Sequence, residues 1–158
     1  MTMKSAGRLV LCLLLCVGIG ILGSFVTRPE IPAWYATLTK PWWTPPPAVF
    51  PVMWTLLYFL MAISLWRLWD RAAPSAARAS AITWFLIQLA LNAAWSPVFF
   101  GLHGIRTALV IIICLLIAIV MTMLAASRVD KIATWLLAPY LVWIAYATTI
   151  NAGVVALN

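Results

Sequence analysis

Residues 34–58 read Trp34-Tyr35-Ala-Thr-Leu-Thr-Lys40-Pro41-Trp42-Trp43-Thr-Pro45-Pro46-Pro47-Ala-Val-Phe50-Pro51-Val-Met-Trp54-Thr-Leu-Leu-Tyr58. The stretch holds four Trp, two Tyr and five Pro, and it lies between two strongly apolar segments. Exposed apolar surface costs roughly 25 cal/mol per Å², so a connection this aromatic covers something. Each Pro fixes φ near about −65° and removes a backbone donor, which makes the segment stiff. Two readings follow. One is a lid over a site for a flat, apolar ligand; the other is a belt at headgroup level, where Trp and Tyr collect in any case. A belt accounts for one or two Trp but not for the spacing of the prolines, and this favours the lid.

The composition on either side of the stretch sets the class. The 158 residues are 66% hydrophobic and only 8% charged, the balance of a polytopic membrane protein. The net charge of +7 is spread over the ends of apolar runs. Nucleic-acid binding would need a clustered basic face, so no nucleic-acid partner is expected. Cys12, Cys16 and Cys114 all fall inside apolar segments and read as small core residues.

Apolar runs long enough to span a bilayer occupy about 7–26, 47–69, 79–102, 105–126 and 132–155. A span takes about 20 residues. Without water to satisfy the backbone, each run must be a helix. The expected fold is therefore an all-α bundle of five transmembrane helices in a single domain, 1–158, with the aromatic and proline-rich first loop, 27–46, as lid. The first run follows Lys4 and Arg8 like a signal peptide. Its apolar stretch, Leu9 to Val26, exceeds an ordinary leader core of roughly 7–15 residues, so a retained helix is expected. Lys4, Arg8, Arg67, Arg71, Arg78, Arg128 and Lys131 fall on one side of such a bundle, and Arg28, Lys40 and Arg106 on the other. The positive-inside rule then places the N-terminus in the cytoplasm and the aromatic loop opposite. An integral, multi-pass protein is expected, with inner and outer membrane both open.

Polar groups inside a membrane are costly and usually have a job. Gln88, Asn92, Trp95 and Phe99 form one stripe on the third helix, at i, i+4, i+7 and i+11. Tyr140, Trp143, Ala147 and Asn151 form another on the fifth, and Trp54 and Tyr58 sit one turn apart on the second. Lipid would not pair the amides, so these faces belong inside the bundle. Converging, they make an apolar pocket with few polar groups, the usual form of a small-molecule site; alternatively Gln88 and Asn92 only join helices, at about 0.6–2 kcal/mol each. The fourth helix, aliphatic from Thr107 to Met123, reads as scaffold or lipid-facing. Pro51, Pro97 and Pro139 are positions for kinks. Gly20 with Ser24, and Ala90 with Ala94, have the spacing that lets helices or a second copy approach closely.

Most chemistry is missing from the chain. His103 is the single His, and Glu30, Asp70 and Asp130 are the three acids, all in separate connections. No metal-ligand cluster, phosphate loop or nucleophile elbow is present, so no metal site and no required cofactor is expected. Proton-coupled and ATP-driven transport are disfavoured. Binding, sensing or facilitated movement of an apolar aromatic ligand remains, or a reaction driven by the ligand itself.

Four segments carry a family resemblance. They are Trp34-Tyr35-x-x-Leu38-x-Lys40-Pro41-Trp42-Trp43-x-Pro45-Pro46, Phe50-Pro51-x-x-Trp54-x-x-Leu57-Tyr58, Gln88-Leu89-x-Leu91-Asn92-x-x-Trp95-x-Pro97-x-Phe99-Phe100 and Pro139-Tyr140-Leu141-x-Trp143. Together they resemble the tryptophan-rich sensory protein family, which includes the mitochondrial translocator protein or peripheral benzodiazepine receptor. The resemblance implies a five-helix bundle, commonly a homodimer, that binds porphyrins such as protoporphyrin IX and haem. It also implies binding of isoquinoline and benzodiazepine-type drugs and, in some members, sterols. Carried over by position, the pocket walls would be Trp42, Trp43, Trp54, Tyr58, Asn92, Trp95, Trp143 and Ala147. Trp54 and Trp143 match the pair linked in the family to light-dependent porphyrin breakdown. The proposed cholesterol motif of animal members wants a basic residue after its Tyr. Val142 and Tyr146 supply the first parts here, but no basic residue follows Tyr146. A bacterial-type protein whose main ligand is a tetrapyrrole is therefore expected.

Three functions stay in competition on this evidence. The first is a receptor or sensor that binds, and moves or reports, tetrapyrroles. The second is an enzyme degrading porphyrin under light and oxygen, with Trp54 and Trp143 as redox-active residues. The third is a non-catalytic scaffold for a partner complex.

Overall fold

In the computed structural model, which describes residues 2–158, five helices are long and apolar enough to cross a membrane: α1 (Met3–Ala33), α2 (Val49–Arg71), α3 (Ala76–Gly101), α4 (Ile105–Ser127) and α5 (Lys131–Leu157). No strand occurs among the described residues. The chain is an integral, multi-pass membrane protein with the expected five-helix fold.

Local chemistry sets the helix ends. Thr2, Ser75 and Asp130 sit at the starts of α1, α3 and α5, and each side chain accepts from backbone N–H of the first turn. The last turns of α2 (Arg67–Arg71) and α3 (Pro97–Gly101) widen into π-type turns. In α3 this widening begins at Pro97, whose ring and missing N–H disturb the regular ladder. In α5 the helix is interrupted at Leu137, and Pro139 falls in the first turn of the piece that follows, a position Pro tolerates.

Helix α1 runs well past residue 26. It continues through Pro29 and Pro32 to Ala33, so Arg28 and Glu30 are helical and the connection to α2 is shortened to 34–48. Helix α4 has two faces. Ala108, Ile112, Leu115, Ile119, Thr122 and Ala126 are buried, whereas Val110, Ile113, Ile117, Val120 and Leu124 are exposed, at the spacing of one helical stripe. It thus faces both lipid and core, and Cys114 is exposed on it, unlike the buried Cys12 and Cys16. Phe85, Leu57, Met61, Leu115, Ile119 and Ile144 make up much of the central core.

The three acids tie helices together at the two ends of the bundle, Asp70 and Asp130 at the basic end and Glu30 at the loop end. Asp70 accepts from Ser5 Oγ at 2.7 Å and from Arg8 at 3.1 Å, joining α2 to α1. Asp130 accepts from the amides of Ile132 and Ala133 and from Arg67 Nε at 3.0 Å, joining α5 to α2. Glu30 pairs with His103 at 3.0 Å, and the His103 ring stacks on Trp34 with centroids 4.1 Å apart. None of the three faces a second carboxylate. Ser64 Oγ donates to the Ala133 carbonyl at 2.8 Å, so α2 and α5 are fastened near the basic end. Toward the loop end they meet through aromatic side chains, Trp54 with Tyr140 and Phe50 with Trp143.

Candidate functional site

The amide of Asn92 is the centre of the site. Tyr58 Oη on α2 donates to Asn92 Oδ1 at 2.8 Å, and Asn92 Nδ2 donates to Tyr140 Oη on α5 at 2.9 Å. One side chain thereby joins three helices through groups that lipid would leave unpaired. Trp54 stacks on Tyr58 with centroids 5.4 Å apart and meets Tyr140 edge-on at 6.4 Å. The position of Tyr58 depends on Gly20 of α1: a Cβ there would strike the Tyr58 ring. The small residue at Gly20 thus serves packing within one chain.

A second amide node lies nearer the loop. Trp95 Nε1 donates to Asn151 Oδ1 at 3.2 Å, and Asn151 Nδ2 donates to the Ile105 carbonyl at 3.0 Å. Trp95 stacks on Phe99 with centroids 4.9 Å apart. Phe99 and Phe100 extend this packing to Trp34 and Tyr35 at the start of the loop.

The loop is fastened over the end of the bundle. Tyr146 Oη donates to the Trp43 carbonyl, and Thr39 and Asn158 exchange hydrogen bonds of 3.0 and 2.9 Å. Pro41 packs against Gly153, where a Cβ would come within 2.8 Å of its ring. Lys40 Nζ donates to the carbonyls of Tyr35 and Leu38 and lies over the Tyr35 ring. Lys40 therefore holds the loop's own shape. Burial raises the Tyr35 phenol above its usual range, so the ring beneath the ammonium stays neutral. Residues 39–43 thus lie on the C-terminal part of α5.

The eight candidate residues divide into groups. Trp54, Tyr58 and Asn92 are brought into one hydrogen-bonded and stacked cluster. Trp95 belongs to the second node. Trp143 is buried, meets Phe50 edge-on at 5.7 Å, and has its indole N–H buried without a partner. Ala147 is half-buried one turn further along α5. Trp42 and Trp43 are not brought to the cluster. Trp42 is 91% exposed and Trp43 is 37% exposed, and they pack edge-on against each other. Gln88 is buried with neither amide atom paired. A groove of about 630 Å³ lies along α5 beside Met53 of α2, lined by Trp135, Ala138, Pro139, Val142, Trp143 and Tyr146, so that of the eight candidate residues only Trp143 faces it.

Comparison with known proteins places this arrangement. A model of the TspO/MBR family matches residues 12–157. The chain belongs to the TspO/MBR family. "Tryptophan-rich protein TspO" of Chlorobaculum tepidum is 40% identical to it over 155 residues, 98% of each chain. A protein of the same name from Archaeoglobus fulgidus is 41% identical over 151 residues, 96% of this chain and 97% of that one. The "Translocator protein" of Homo sapiens is 37% identical over 131 residues, 82% of this chain and 78% of that one.

Within this TspO/MBR chain, Tyr140 and Asn151 are hydrogen-bonded to the candidate residues Asn92 and Trp95, though a list of pocket walls drawn from the resemblance leaves them out. The signal for both is in the sequence, because they share the α5 stripe with Trp143 and Ala147. Phe50 stands in a motif that carries the resemblance and Tyr146 in the cholesterol-motif comparison, whereas Met53 carries no such signal, since sulfur side chains are scattered through this chain. Among the described residues, no group of three His, Cys, Asp or Glu could hold a metal ion.

Proposed function

We propose that the chain is a membrane receptor or sensor that binds flat tetrapyrroles, protoporphyrin IX or haem, at the loop end between α2, α3 and α5. The observation that carries this reading is Trp143. It is only 7% exposed, lines the groove between α2 and α5, and leaves its N–H unpaired. A buried donor without a partner costs about 1–3 kcal/mol, which an acceptor on a ligand recovers. Trp135 and Tyr146 line the same groove, and each aromatic ring that meets a π-system there is worth roughly 0.5–1.5 kcal/mol beyond area burial. Isoquinoline and benzodiazepine-type drugs are flat and apolar and suit the same surface. Seven of the ten basic residues lie at the end opposite the loop, which supports a loop facing away from the cytoplasm. Ala90 is exposed on the outer surface of α3, which supports close approach of a second copy.

The test is a titration of the purified protein with protoporphyrin IX in the dark, followed by tryptophan fluorescence. Saturable quenching is expected, weakened at least ten-fold in an Asn92→Leu plus Trp143→Ala variant. Linear quenching, equal in both proteins, would show a porphyrin that only partitions into the micelle.

The stacked Trp54–Tyr58 pair also favours a second reading, breakdown of bound porphyrin under light and oxygen. An indole can donate an electron to an excited porphyrin without any acid or base residue. Under that reading, Trp54→Phe with Trp143→Phe abolishes light-dependent turnover and leaves dark binding nearly intact.

A further inference from the structure

A second groove, of about 320 Å³, lies at the opposite end of the bundle among α1, α2 and α3. Leu15, Leu65, Ile82 and Leu86 form its walls, and Trp69 and Arg78 also line it. From Arg78 to Leu86 it follows α3 for about 12 Å. Its inner part is a slot for hydrocarbon, but its end is charged. Arg78 Nη2 donates to the Trp69 carbonyl at 2.8 Å, which brings its guanidinium to the last turn of α2. The Arg8 guanidinium lies over the Trp69 ring, 5.4 Å from its centroid. Arg71 lies over Trp66 in the same turn of α2. Three guanidiniums thus gather about the end of α2, where Asp70 is already bonded to Ser5 and Arg8 and Asp130 is taken up by Arg67 and the amides of α5. A guanidinium has five N–H donors. Arg8 commits one to Asp70 and Arg78 directs two groups at carbonyls, so donors remain for an anion.

We propose that this groove is a binding site for one anionic phospholipid, with an acyl chain against Leu15, Leu65, Ile82 and Leu86 and the phosphate between Arg8 and Arg78. Charge complementarity selects the occupant. A zwitterionic lipid fills the slot equally well but gains less from the cationic rim, and a neutral apolar molecule gains nothing there. Trp69 fixes the depth, because its indole belongs at the boundary between chain and headgroup.

Native mass spectrometry of the full-length protein, released from detergent after incubation with equal amounts of dioleoyl phosphatidylglycerol and dioleoyl phosphatidylcholine, tests this. One retained phosphatidylglycerol is expected, preferred by about five-fold for each guanidinium engaged. Leu86→Trp narrows the slot from an exposed wall position and should abolish retention of both lipids at this site. Arg78→Gln should keep a bound lipid but lower the preference about five-fold. Arg28→Gln, on the exposed loop-side end of α1, should leave the preference unchanged, and thermal melts confirm that each variant is folded. Equal retention of the two lipids by the unmodified protein overturns the proposal. So does a preference that persists in folded Leu86→Trp, or one lost equally in Arg28→Gln.

Discussion

Asn92 concentrates the energetics of the site in one amide. It supplies an acceptor to Tyr58 and a donor to Tyr140, so replacing it strands two phenols at once. Each buried polar group left without a partner costs about 1–3 kcal/mol. Asn92→Leu should therefore destabilise the protein by roughly 2–6 kcal/mol, seen as a lower Tm in detergent. Tyr58→Phe removes only one end of the bridge and should cost about half as much. Equal losses would mean that the bridge is not shared. The sequence showed that Asn92 faces inward, because its stripe also carries Gln88, Trp95 and Phe99. It did not show that the two phenols would be the partners. That depends on the rotation and approach of α2 and α5, which Gly20 permits by leaving space for the Tyr58 ring.

At the scale of single elements, Asp130 shows how a helix start is also a joint. Burial alone would raise its carboxyl, but the amides of Ala133 and Ile132 and the Arg67 guanidinium outweigh that and hold it below its ordinary value of 3.8. A carboxylate depressed in the folded state stabilises the protein above its unfolded pKa and loses that contribution as pH falls through the folded one. The Tm should therefore drop as pH falls below about 4, and Asp130→Asn should be less stable at pH 7 with a flatter acid limb. The existence of each helix was legible because long apolar runs admit no other structure in lipid. Helix ends were less so. The sequence reading ends the first helix at about residue 26, yet α1 passes through Pro29 and Pro32 to Ala33. The residues of that last turn are held by other contacts: Glu30 by His103, and Trp34 by His103 and Phe99. Tertiary packing there outweighs a local penalty that sequence alone makes visible.

On the scale of the whole molecule, the loop and α5 act as one piece. Tyr146, Gly153 and Asn158 each hold a different part of residues 39–43. Tyr146→Phe combined with Gly153→Val should release the loop. The expected outcome is at least ten-fold faster limited proteolysis between Thr39 and Pro47, with the membrane-embedded helices still protected. Unchanged cleavage would mean that the aromatic packing of Trp34 and Tyr35 holds the loop by itself. That a rigid aromatic cover would lie here was legible in the prolines. The outward placement of Trp42 and Trp43 was not, because composition does not say which side of a cover a ring occupies.

The Ser64–Ala133 bond makes α2 and α5 a pair of tongs, riveted at one end and latched further along by side chains, Asn92 between Tyr58 and Tyr140 and Phe50 against Trp143. Tyr146 stands thirteen residues beyond Ala133, about 20 Å along the helix. A swing of about 10° about the rivet parts the far ends by roughly 3–4 Å, close to the thickness of one aromatic ring, and undoes the Phe50–Trp143 contact. Under the proposed binding role, a flat guest would enter edge-first from the side by displacing that contact, with the loop carried along on α5 by Tyr146, Gly153 and Asn158.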